Sequence, residues 1–316
     1  MDLPGFFIRT ANHTGHRRRT SQPDSTVART CLLPPFKESH LGNITVRRRR
    51  SAFAAGLATL AMAAGLATVP AQAADKTKYI ALGDSFAAGQ GAGPYLDDCY
   101  RSGNTYSELA DETKAIKLVA NEACSGKTTQ DVVDSQLGRL NKSTELVTIT
   151  AGGNNLGFGA IITYCGVALA GATPGQECAA ATAYATAQLE GGQLYRDVVS
   201  MIEGVQAAAP NAKIVVTGYP YLLDPIPAGQ TGAAALFIYQ ATGLADDLNG
   251  AIAEAAGDTG ATYVDVRSAF LGHGALSPVP WINLGGAGSP DSFHPNAEGY
   301  EAYYATLDAA GAYSAG

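Results

Sequence analysis

Two short apolar runs, each followed by glycine and polar residues, constrain the fold of this chain more than any other feature. Tyr79–Leu82 precedes a Gly-Asp-Ser turn at 83–85, and Leu146–Thr150 precedes Gly-Gly-Asn at 152–154. Short apolar runs bounded by turn residues are typical of buried strands in a parallel sheet. Ligands of open parallel sheets bind outside the carboxyl ends of the strands. We therefore expect both polar segments at one edge of a sheet.

Strands and helices alternate through the rest of the chain. Further strands are predicted at Ile116–Val119, Lys213–Gly218 and Thr262–Val266, and helices at Thr128–Leu140, Ala179–Ala209 with a possible break at Gly191-Gly192, Ala233–Ala256 and Pro295–Ala309. The Ala/Gly-rich segment Gly166–Gly175 is expected to be a loop or insertion near the site. The alternation predicts a three-layer α/β/α sandwich with a mainly parallel sheet. About 240 residues are enough for a single hydrophobic core, so residues 74–316 are expected to form one domain.

The N-terminal segment differs from the rest of the chain in charge and composition. Four arginines at 47–50 precede an apolar run, Ser51–Val69, and Pro70–Ala73 supplies the small residues that suit signal peptidase. A basic region, an apolar region and a cleavage site in this order predict a secretory signal peptide over residues 46–73, cleaved after Ala73. The alternative is a membrane anchor, since the apolar run is near the lower length limit of a spanning helix. The paired arginines leave Tat export open.

Residues 1–45 are polar, irregular and basic, and they precede a complete signal peptide. We expect this segment to be a non-native or disordered extension, with translation beginning near Val46 from a non-AUG codon. The whole chain has a net charge of −7, but residues 75–316 carry 11 Lys and Arg against 25 Asp and Glu, a net charge of −14. This acidity argues against a nucleic-acid partner and against docking on anionic membranes. A monomer is the expected state.

Cysteine usage is consistent with export. Beyond the signal peptide the chain holds four cysteines, Cys99, Cys124, Cys165 and Cys178. An even number in a secreted chain suggests two disulfides, for which three connectivities are possible. The alternative is a metal site. No Cys-x-x-Cys spacing occurs and only two histidines follow the signal peptide, so zinc is not expected.

The Gly-Asp-Ser turn belongs to a set of residues that together supply what acyl transfer needs. Ser85 offers a hydroxyl nucleophile, His294 a base, and Asp291 a carboxylate close enough in sequence to orient the imidazole. Asn154 and glycine backbone offer donors for an oxyanion. His273 has no carboxylate within a few residues and is expected to be a loop or rim residue. The alternatives are that Asp291 is an exposed turn residue and that His294 caps the last helix.

Five sequence blocks resemble, in their order, the SGNH hydrolases, also called the GDSL family of esterases and lipases, and most closely its secreted actinobacterial members. The blocks are GDSFAAGQGAG at 83–93, CYRSGNTY at 99–106, ACSGKTT at 123–129, AGGNN at 151–155 and DSFHPN at 291–296. The resemblance covers most of the chain from about Lys78 onward. One departure is visible, because the family block more often reads Gly-Gly-Asn-Asp and here ends in Asn155. This puts a supporting hydrogen bond in doubt, while the position of Asn154 is kept.

The resemblance implies a flavodoxin-like sheet and three oxyanion donors, namely the backbone N–H groups of Ser85 and Gly126 and the side-chain amide of Asn154. It also implies sequential disulfides, Cys99–Cys124 and Cys165–Cys178, and the absence of a third disulfide that relatives often carry nearer the C-terminus. Family members exist in which a backbone carbonyl supports the histidine. Asp84, beside the nucleophile, is expected to hold the turn by hydrogen bonds rather than to take part in catalysis.

The expected function is that of a secreted, extracellular serine carboxylic-ester hydrolase, an esterase or lipase. It would act on lipid or short-chain acyl esters through an acyl-enzyme on Ser85, with no metal or organic cofactor and at most transient contact with lipid surfaces. Six aromatic residues are candidates to line an acyl pocket: Tyr95, Phe158, Tyr164, Tyr219, Tyr221 and Trp281. The alternatives are an acetyl-polysaccharide esterase and, from another class, a non-catalytic binding protein on the same fold.

Overall fold

The computed structural model describes residues 75–286 and 288–314. Five parallel strands form one sheet in the order β2-β1-β3-β4-β5. The strands are β1 (Thr77–Gly83), β2 (Ile116–Asn121), β3 (Leu146–Thr150), β4 (Lys213–Thr217) and β5 (Thr262–Val264). Strand β2 lies on one side of β1, and β3, β4 and β5 follow on the other side, so the strand order reverses between β1 and β3. The predicted extension at 1–45 and signal peptide at 46–73 lie outside the described residues.

Helices pack against the sheet in two groups, and every residue of β3 is buried. The described part of the chain contains α1 (Ser85–Ala88), α2 (Tyr106–Asp111), α3 (Thr129–Ser135), α4 (Phe158–Cys165), α5 (Gln176–Glu190), α6 (Gln193–Ala208), α7 (Ala233–Thr259) and α8 (Ala297–Ala309). Helix α2 packs against α8, while α6 packs against α3, α5 and α7. The predicted α/β/α sandwich with a parallel sheet is confirmed.

Several helix boundaries differ from the sequence-based expectations: α3 ends at Ser135 rather than at Leu140, and α7 continues to Thr259 rather than ending at Ala256. The helix predicted from Thr128 begins one residue later, because Thr128 is its N-cap and forms a capping box with Asp131. The long helix predicted at 179–209 is two helices, α5 and α6, separated at the two glycines as expected. Helix α4 and the 3-10 helix Gly166–Ala170 that follows it were not predicted. Almost all residues of α4 are apolar, so the segment shows no helical period in sequence.

Buried hydroxyl groups cross the sheet in a continuous line of hydrogen bonds. The Tyr106 hydroxyl lies 2.8 Å from Oγ1 of Thr150, which lies 2.6 Å from Oγ1 of Thr217. The Thr217 hydroxyl lies 2.7 Å from that of Tyr303, which donates to the carbonyl of Gly218 at 2.5 Å. Each hydroxyl of this line therefore has a partner, and the line joins α2 and α8 to the carboxyl ends of β3 and β4.

Gly83, the last residue of β1, makes the closest backbone approach at the edge of the sheet where the site lies. Its φ is 131°, and a Cβ atom built there would lie 2.0 Å from the carbonyl oxygen of Thr150 on β3. The side chain of Gln136 accepts from the Gly83 N–H and donates to its carbonyl, both at 2.8 Å. The next residue, Asp84, donates its N–H to the Thr150 carbonyl at 2.8 Å. Only glycine is compatible with this conformation and this contact.

We expect Gly83→Ala to lower the free energy of unfolding by at least about 2 kcal/mol, because Cβ overlaps a carbonyl and the backbone must leave its positive φ. Urea denaturation followed by circular dichroism measures this change. Gly257→Ala is the matched control, since Gly257 is exposed on α7 and its Cβ would meet no atom within 4 Å. The control should gain about 0.5–1 kcal/mol from helix propensity. Equal effects of the two substitutions would contradict the steric argument.

Candidate active site

Ser85 lies at the carboxyl end of β1, where the chain turns directly into the short helix α1. Its side chain is buried. Asp84 is the N-cap of this helix and accepts from the Phe86 N–H at 3.0 Å, while its other oxygen accepts from the Tyr219 hydroxyl at 2.5 Å. The expectation that Asp84 holds the turn by hydrogen bonds is confirmed. Burial raises the pKa of Asp84 to about 7, although the hydrogen bonds from Tyr219 and Phe86 oppose the rise.

The imidazole of His294 connects the serine to a backbone carbonyl. Nε2 of His294 lies 2.8 Å from Oγ of Ser85, and Nδ1 lies 3.0 Å from the carbonyl oxygen of Ser292. A carbonyl oxygen only accepts, so this contact places the proton of a neutral ring on Nδ1. Nε2 then has a free lone pair directed at the serine hydroxyl. The ring can accept the Ser85 proton without rearrangement.

The structure does not place Asp291 against the histidine ring, which corrects the sequence-based expectation. The carboxylate of Asp291 accepts from the Tyr95 hydroxyl, and this hydroxyl in turn accepts from the Gly91 N–H at 2.9 Å. The reason is the local turn, in which the His294 N–H donates to the Asp291 carbonyl at 3.1 Å and Phe293 has a φ of 59°. This turn directs the Ser292 carbonyl, rather than the Asp291 side chain, to Nδ1.

Apolar surroundings determine the protonation state of His294. Its ring centroid lies 5.2 Å from that of Phe86 and 6.3 Å from that of Phe158. Burial lowers the pKa of His294 to about 4, and the Ser292 carbonyl and the negative charge of Asp291 oppose this only in part. The imidazole is therefore neutral at pH 7, the state in which it can act as a base.

The three hydrogen-bond donors predicted from the sequence lie on separate segments: Ser85 begins α1, Gly126 lies in a turn, and Asn154 begins a 3-10 helix. The N–H groups of Ser85 and Gly126 donate to no other residue in the described ranges. Gly126 has a φ of 78° in the turn where Lys127 N–H donates to the carbonyl of Cys124 at 3.3 Å. The side-chain amide of Asn154 donates one proton to the Lys127 carbonyl at 2.9 Å and keeps its second N–H.

Asn155, the residue that departs from the family block, makes a supporting set of hydrogen bonds. Its Oδ1 accepts from the Thr129 N–H at 3.1 Å, and its Nδ2 donates to the Thr129 hydroxyl at 2.8 Å. The same Nδ2 lies 3.3 Å from a carboxylate oxygen of Asp197 on α6. An aspartate at 155 would have no proton for Asp197 and would repel it. The amide thus connects the loop after β3 to α3 and α6.

Gln90 is a residue of the site that sequence reasoning did not single out. Its Oε1 accepts from the Ser125 hydroxyl at 2.5 Å, and its Nε2 donates to the carbonyl of Pro290. The Tyr300 hydroxyl also donates to the Gln90 carbonyl at 3.1 Å. One buried side chain therefore joins the turn of Gly126 to the loop that carries His294. Gln90 lies in the first sequence block, but the sequence did not indicate its role because its hydrogen-bond partners are more than 30 residues away.

Two disulfides stabilise segments next to the site. Cys99 is bonded to Cys124, and Cys165 is bonded to Cys178, the pairing that the family resemblance implies. The first bond immediately precedes the Ser125–Gly126 turn. The second joins the end of α4 to the beginning of α5.

An apolar cleft begins at Ser85 and continues between α4 and α7. Beyond the residues around Ser85, its walls are mainly aliphatic and aromatic: Leu156, Phe158, Ile161, Ile162, Tyr219, Pro220, Tyr221, Leu222, Leu223, Phe237, Ala241, Thr242, Leu244, Ala245, Leu248 and Phe293. Asp84, at the Ser85 end, is the only one of the lining residues with an acidic or basic side chain.

Three of the six aromatic residues proposed for an acyl pocket line this cleft, namely Phe158, Tyr219 and Tyr221. The other three do not. Tyr95 donates to Asp291, and Tyr164 is 46% exposed. The ring of Trp281 stacks on that of His273 with centroids 3.5 Å apart, and neither residue lines the cleft.

In the described residues, 75–286 and 288–314, no group of three or more His, Cys, Asp and Glu side chains could hold a metal ion. None of the helices in the same ranges combines the length and the apolar character needed to cross a membrane.

Comparison with known proteins gives consistent results. A family model described as the GDSL-like lipase/acylhydrolase family matches residues 81–302. Lipase 1 of Streptomyces coelicolor is 35% identical over 277 residues, covering 81% of this chain and 97% of that protein. The extracellular lipase of Streptomyces rimosus has a similar structure, with a TM-score of 0.67 at 33% identity over 74% of this chain and 99% of that one. Phospholipase A1 of Streptomyces albidoflavus NA297 has a TM-score of 0.64 at 36% identity, with the same coverage.

We expect the His294 imidazole to remain neutral well below pH 6.5, because burial disfavours the charged ring. Two-dimensional NMR of protein labelled with ¹⁵N-histidine, recorded from pH 7 down to the acid limit of folding, reports the protonation of each ring. A His294→Gln variant identifies the signal. A transition of this ring at or above pH 6.5 would show that the apolar packing by Phe86 and Phe158 does not control its charge.

Proposed function

Because this chain belongs to the GDSL-like lipase/acylhydrolase family and is a serine carboxylic-ester hydrolase, we propose that it cleaves fatty-acyl esters through an acyl-enzyme on Ser85. One observation carries the proposal. The Ser85 hydroxyl, 2.8 Å from Nε2 of a neutral His294, lies at one end of an apolar cleft between α4 and α7. A nucleophile, its base and a compartment for an acyl chain are therefore adjacent.

In the first half of the reaction, Ser85 Oγ attacks the ester carbonyl while Nε2 of His294 accepts the hydroxyl proton. The carbonyl oxygen becomes an oxyanion. The N–H groups of Ser85 and Gly126 and the second amide proton of Asn154 are assigned to it, and each such donor typically lowers the barrier by about 3 kcal/mol. When the tetrahedral intermediate collapses, the imidazolium returns its proton to the departing alcohol, and the acyl group stays on Ser85.

In the second half, a water molecule takes the place of the alcohol. His294 accepts its proton as the water attacks the acyl-enzyme, the same donors stabilise the second oxyanion, and the Ser85 oxygen leaves with the proton returned by His294. The products are a carboxylic acid and the free enzyme. These steps use only side chains and backbone groups of the chain, and no cofactor is required.

In this proposal Asp291 is a positioning residue. The Ser292 carbonyl holds the Nδ1 proton of His294, and Asp291 fixes the histidine loop by accepting from Tyr95. Its negative charge also favours the imidazolium that forms during the reaction, since it raises the pKa of His294 at longer range.

We expect Asp291→Asn to retain kcat/KM for p-nitrophenyl butyrate within about tenfold, because the carbonyl that orients the imidazole is unchanged. Loss of a carboxylate that holds the catalytic histidine costs about 10⁴-fold. Ser85→Ala and His294→Ala should lower the rate by at least about 10³-fold. Tyr95→Phe is the matched control, since it removes the partner of Asp291 and should resemble Asp291→Asn. If Asp291→Asn were as damaging as His294→Ala, the carboxylate rather than the carbonyl would orient the ring.

The shape and polarity of the cleft indicate which part of the ester it binds. Away from Ser85 its walls are alkyl and aromatic side chains from α4, α7 and the Leu222–Leu223 segment. Such walls favour a hydrocarbon chain, each buried methylene contributing about 0.8 kcal/mol. A sugar ring would leave its hydroxyls without partners in the same place. We therefore assign the cleft to the acyl group, with the alcohol group on the solvent side.

We expect kcat/KM for p-nitrophenyl esters to rise from acetyl to medium or long acyl chains, and the preference to depend on the cleft. Ala241→Trp places a large ring in the cleft and should lower kcat/KM for the decanoyl ester about tenfold or more, while the acetyl ester changes little. Ala253→Trp, on α7 outside the cleft, is the control and should leave the profile unchanged. A wild-type profile confined to acetyl esters would favour the acetyl-polysaccharide alternative. A folded protein without turnover of any ester would indicate a binding protein.

Export from the cell is also part of the proposal. It is supported by the signal-like segment at 46–73, by two disulfides, and by the fact that the Streptomyces rimosus relative is an extracellular lipase. A protein in the culture medium that begins at Ala74 would agree with this, whereas one that retains residues 46–73 would contradict the cleavage.

A further inference from the structure

Two long segments beside the cleft contain no charged side chain. Residues 146–176 and residues 225–245 lack Asp, Glu, Lys and Arg, although these types make up 16% of the chain. The first segment contains α4 and the 3-10 helix Gly166–Ala170, and the second contains the first half of α7. The absence of charge in both segments is unexpected for exposed helices, whose outer faces normally carry charged residues.

The two segments meet and form one surface. The 3-10 helix packs against α7, and a second depression is lined by residues of both segments, among them Ala168, Pro174, Leu236 and Tyr239. The buried Phe237 lines both this depression and the acyl cleft, so the two are adjacent.

Four large apolar side chains of the two segments are exposed, and two of them, Leu236 and Tyr239, line the depression. The exposed fractions are 46% for Tyr164, 44% for Val167, 58% for Leu236 and 64% for Tyr239. We call these four residues the neutral surface. Apolar side chains grouped in this way mark interaction sites, and tyrosine is suited to the boundary between water and lipid, since its ring is apolar and its hydroxyl can stay hydrated.

Charge restricts what can cover the neutral surface. Residues 75–316 have a net charge of −14, and Glu177, Asp224 and Asp246 flank the uncharged segments in sequence. Asp246 is paired with Arg267, whose guanidinium lies 2.6 Å from its carboxylate. The net negative charge and the other two carboxylates would repel an anionic bilayer. A neutral lipid surface would cover the four side chains without removing an ion from water, which is the costly step in burying charged protein surface. The acyl cleft beside this surface points to the same partner, because the fatty-acyl esters assigned to the cleft are found in lipid aggregates.

We propose that the neutral surface docks this protein on electrically neutral lipid, zwitterionic or uncharged, so that an ester can pass from the aggregate into the cleft. The proposal rests on the proposed function for the direction of transfer. The binding step itself does not require catalysis and can be measured in a Ser85→Ala background.

Binding of Ser85→Ala protein to sucrose-loaded vesicles of palmitoyl-oleoyl phosphatidylcholine, measured by sedimentation, tests the surface. We expect Leu236→Glu/Tyr239→Glu to weaken partitioning at least tenfold and Val167→Glu to weaken it severalfold. Val119→Glu is the matched control, since Val119 is also 44% exposed but lies on β2, at the opposite edge of the sheet from β4 and β5. It should bind like the parent. Vesicles of phosphatidylglycerol should bind the parent more weakly than phosphatidylcholine vesicles do.

A second measurement separates this proposal from the proposed function. In the active background, Leu236→Glu/Tyr239→Glu should keep kcat/KM for soluble p-nitrophenyl butyrate within about twofold and lose at least tenfold on an ester dispersed in phosphatidylcholine vesicles. Thermal unfolding checks that each variant is folded. Absence of wild-type esterase activity together with intact vesicle binding would overturn the function and leave the surface standing.

Three outcomes would overturn the neutral surface itself. Equal vesicle binding by the parent, Val167→Glu and the double variant would show that these side chains do not contact lipid. Tighter binding to phosphatidylglycerol would contradict the charge argument. A dimer in lipid-free sedimentation that the double variant dissociates would show that a second copy of the chain, rather than lipid, covers the surface.

Discussion

The contact between the carboxyl ends of β1 and β3 determines the arrangement of the site. Gly83 lies so close to the Thr150 carbonyl that no side chain fits, and the Asp84 N–H donates to the same oxygen. Ser85 follows this contact on one strand and Asn154 follows it on the other. Because the strands are parallel and the strand order reverses between them, the nucleophile and the amide donor are held at one crevice by backbone geometry.

Burial then gives the reacting groups their chemical state. The apolar environment that lowers the pKa of His294 to about 4 also raises that of Asp84 to about 7, because desolvation penalises an imidazolium and a carboxylate alike. The base is neutral before the reaction, and its Nδ1 proton is held by the carbonyl of Ser292 rather than by a second carboxylate. In these water-poor surroundings fixed hydrogen-bond donors act more strongly on a developing oxyanion than they would in water.

Sequence patterns predicted the strands and helices that have a clear pattern of apolar residues or ends marked by glycine or a capping residue. The five strands, the break between α5 and α6, and the last helix after His294 were all predicted, because apolar runs, glycines and caps are local signals. Helix α4 was not predicted, because in an almost wholly apolar segment the sequence does not distinguish a buried face from an exposed face. Asp291 was predicted to hold the histidine ring because it is only three residues away, but the turn around Phe293 directs a carbonyl there instead.

The sequence by itself determined the kinds of groups that this protein uses. Ser85, Asn154 and His294 are recognisable from their blocks, and the alternation of strands and helices predicts that the first two meet at one sheet edge. Only the tertiary structure decided which atoms are in contact. It places the Ser292 carbonyl, rather than the Asp291 carboxylate, at Nδ1 of His294, and it places Gln90 between two loops that are distant in sequence. It also brings the two uncharged segments together beside the cleft. The physical reason is that residue type and period are local properties of a chain, whereas hydrogen-bond partners and shared surfaces depend on backbone turns and on segments far apart in sequence.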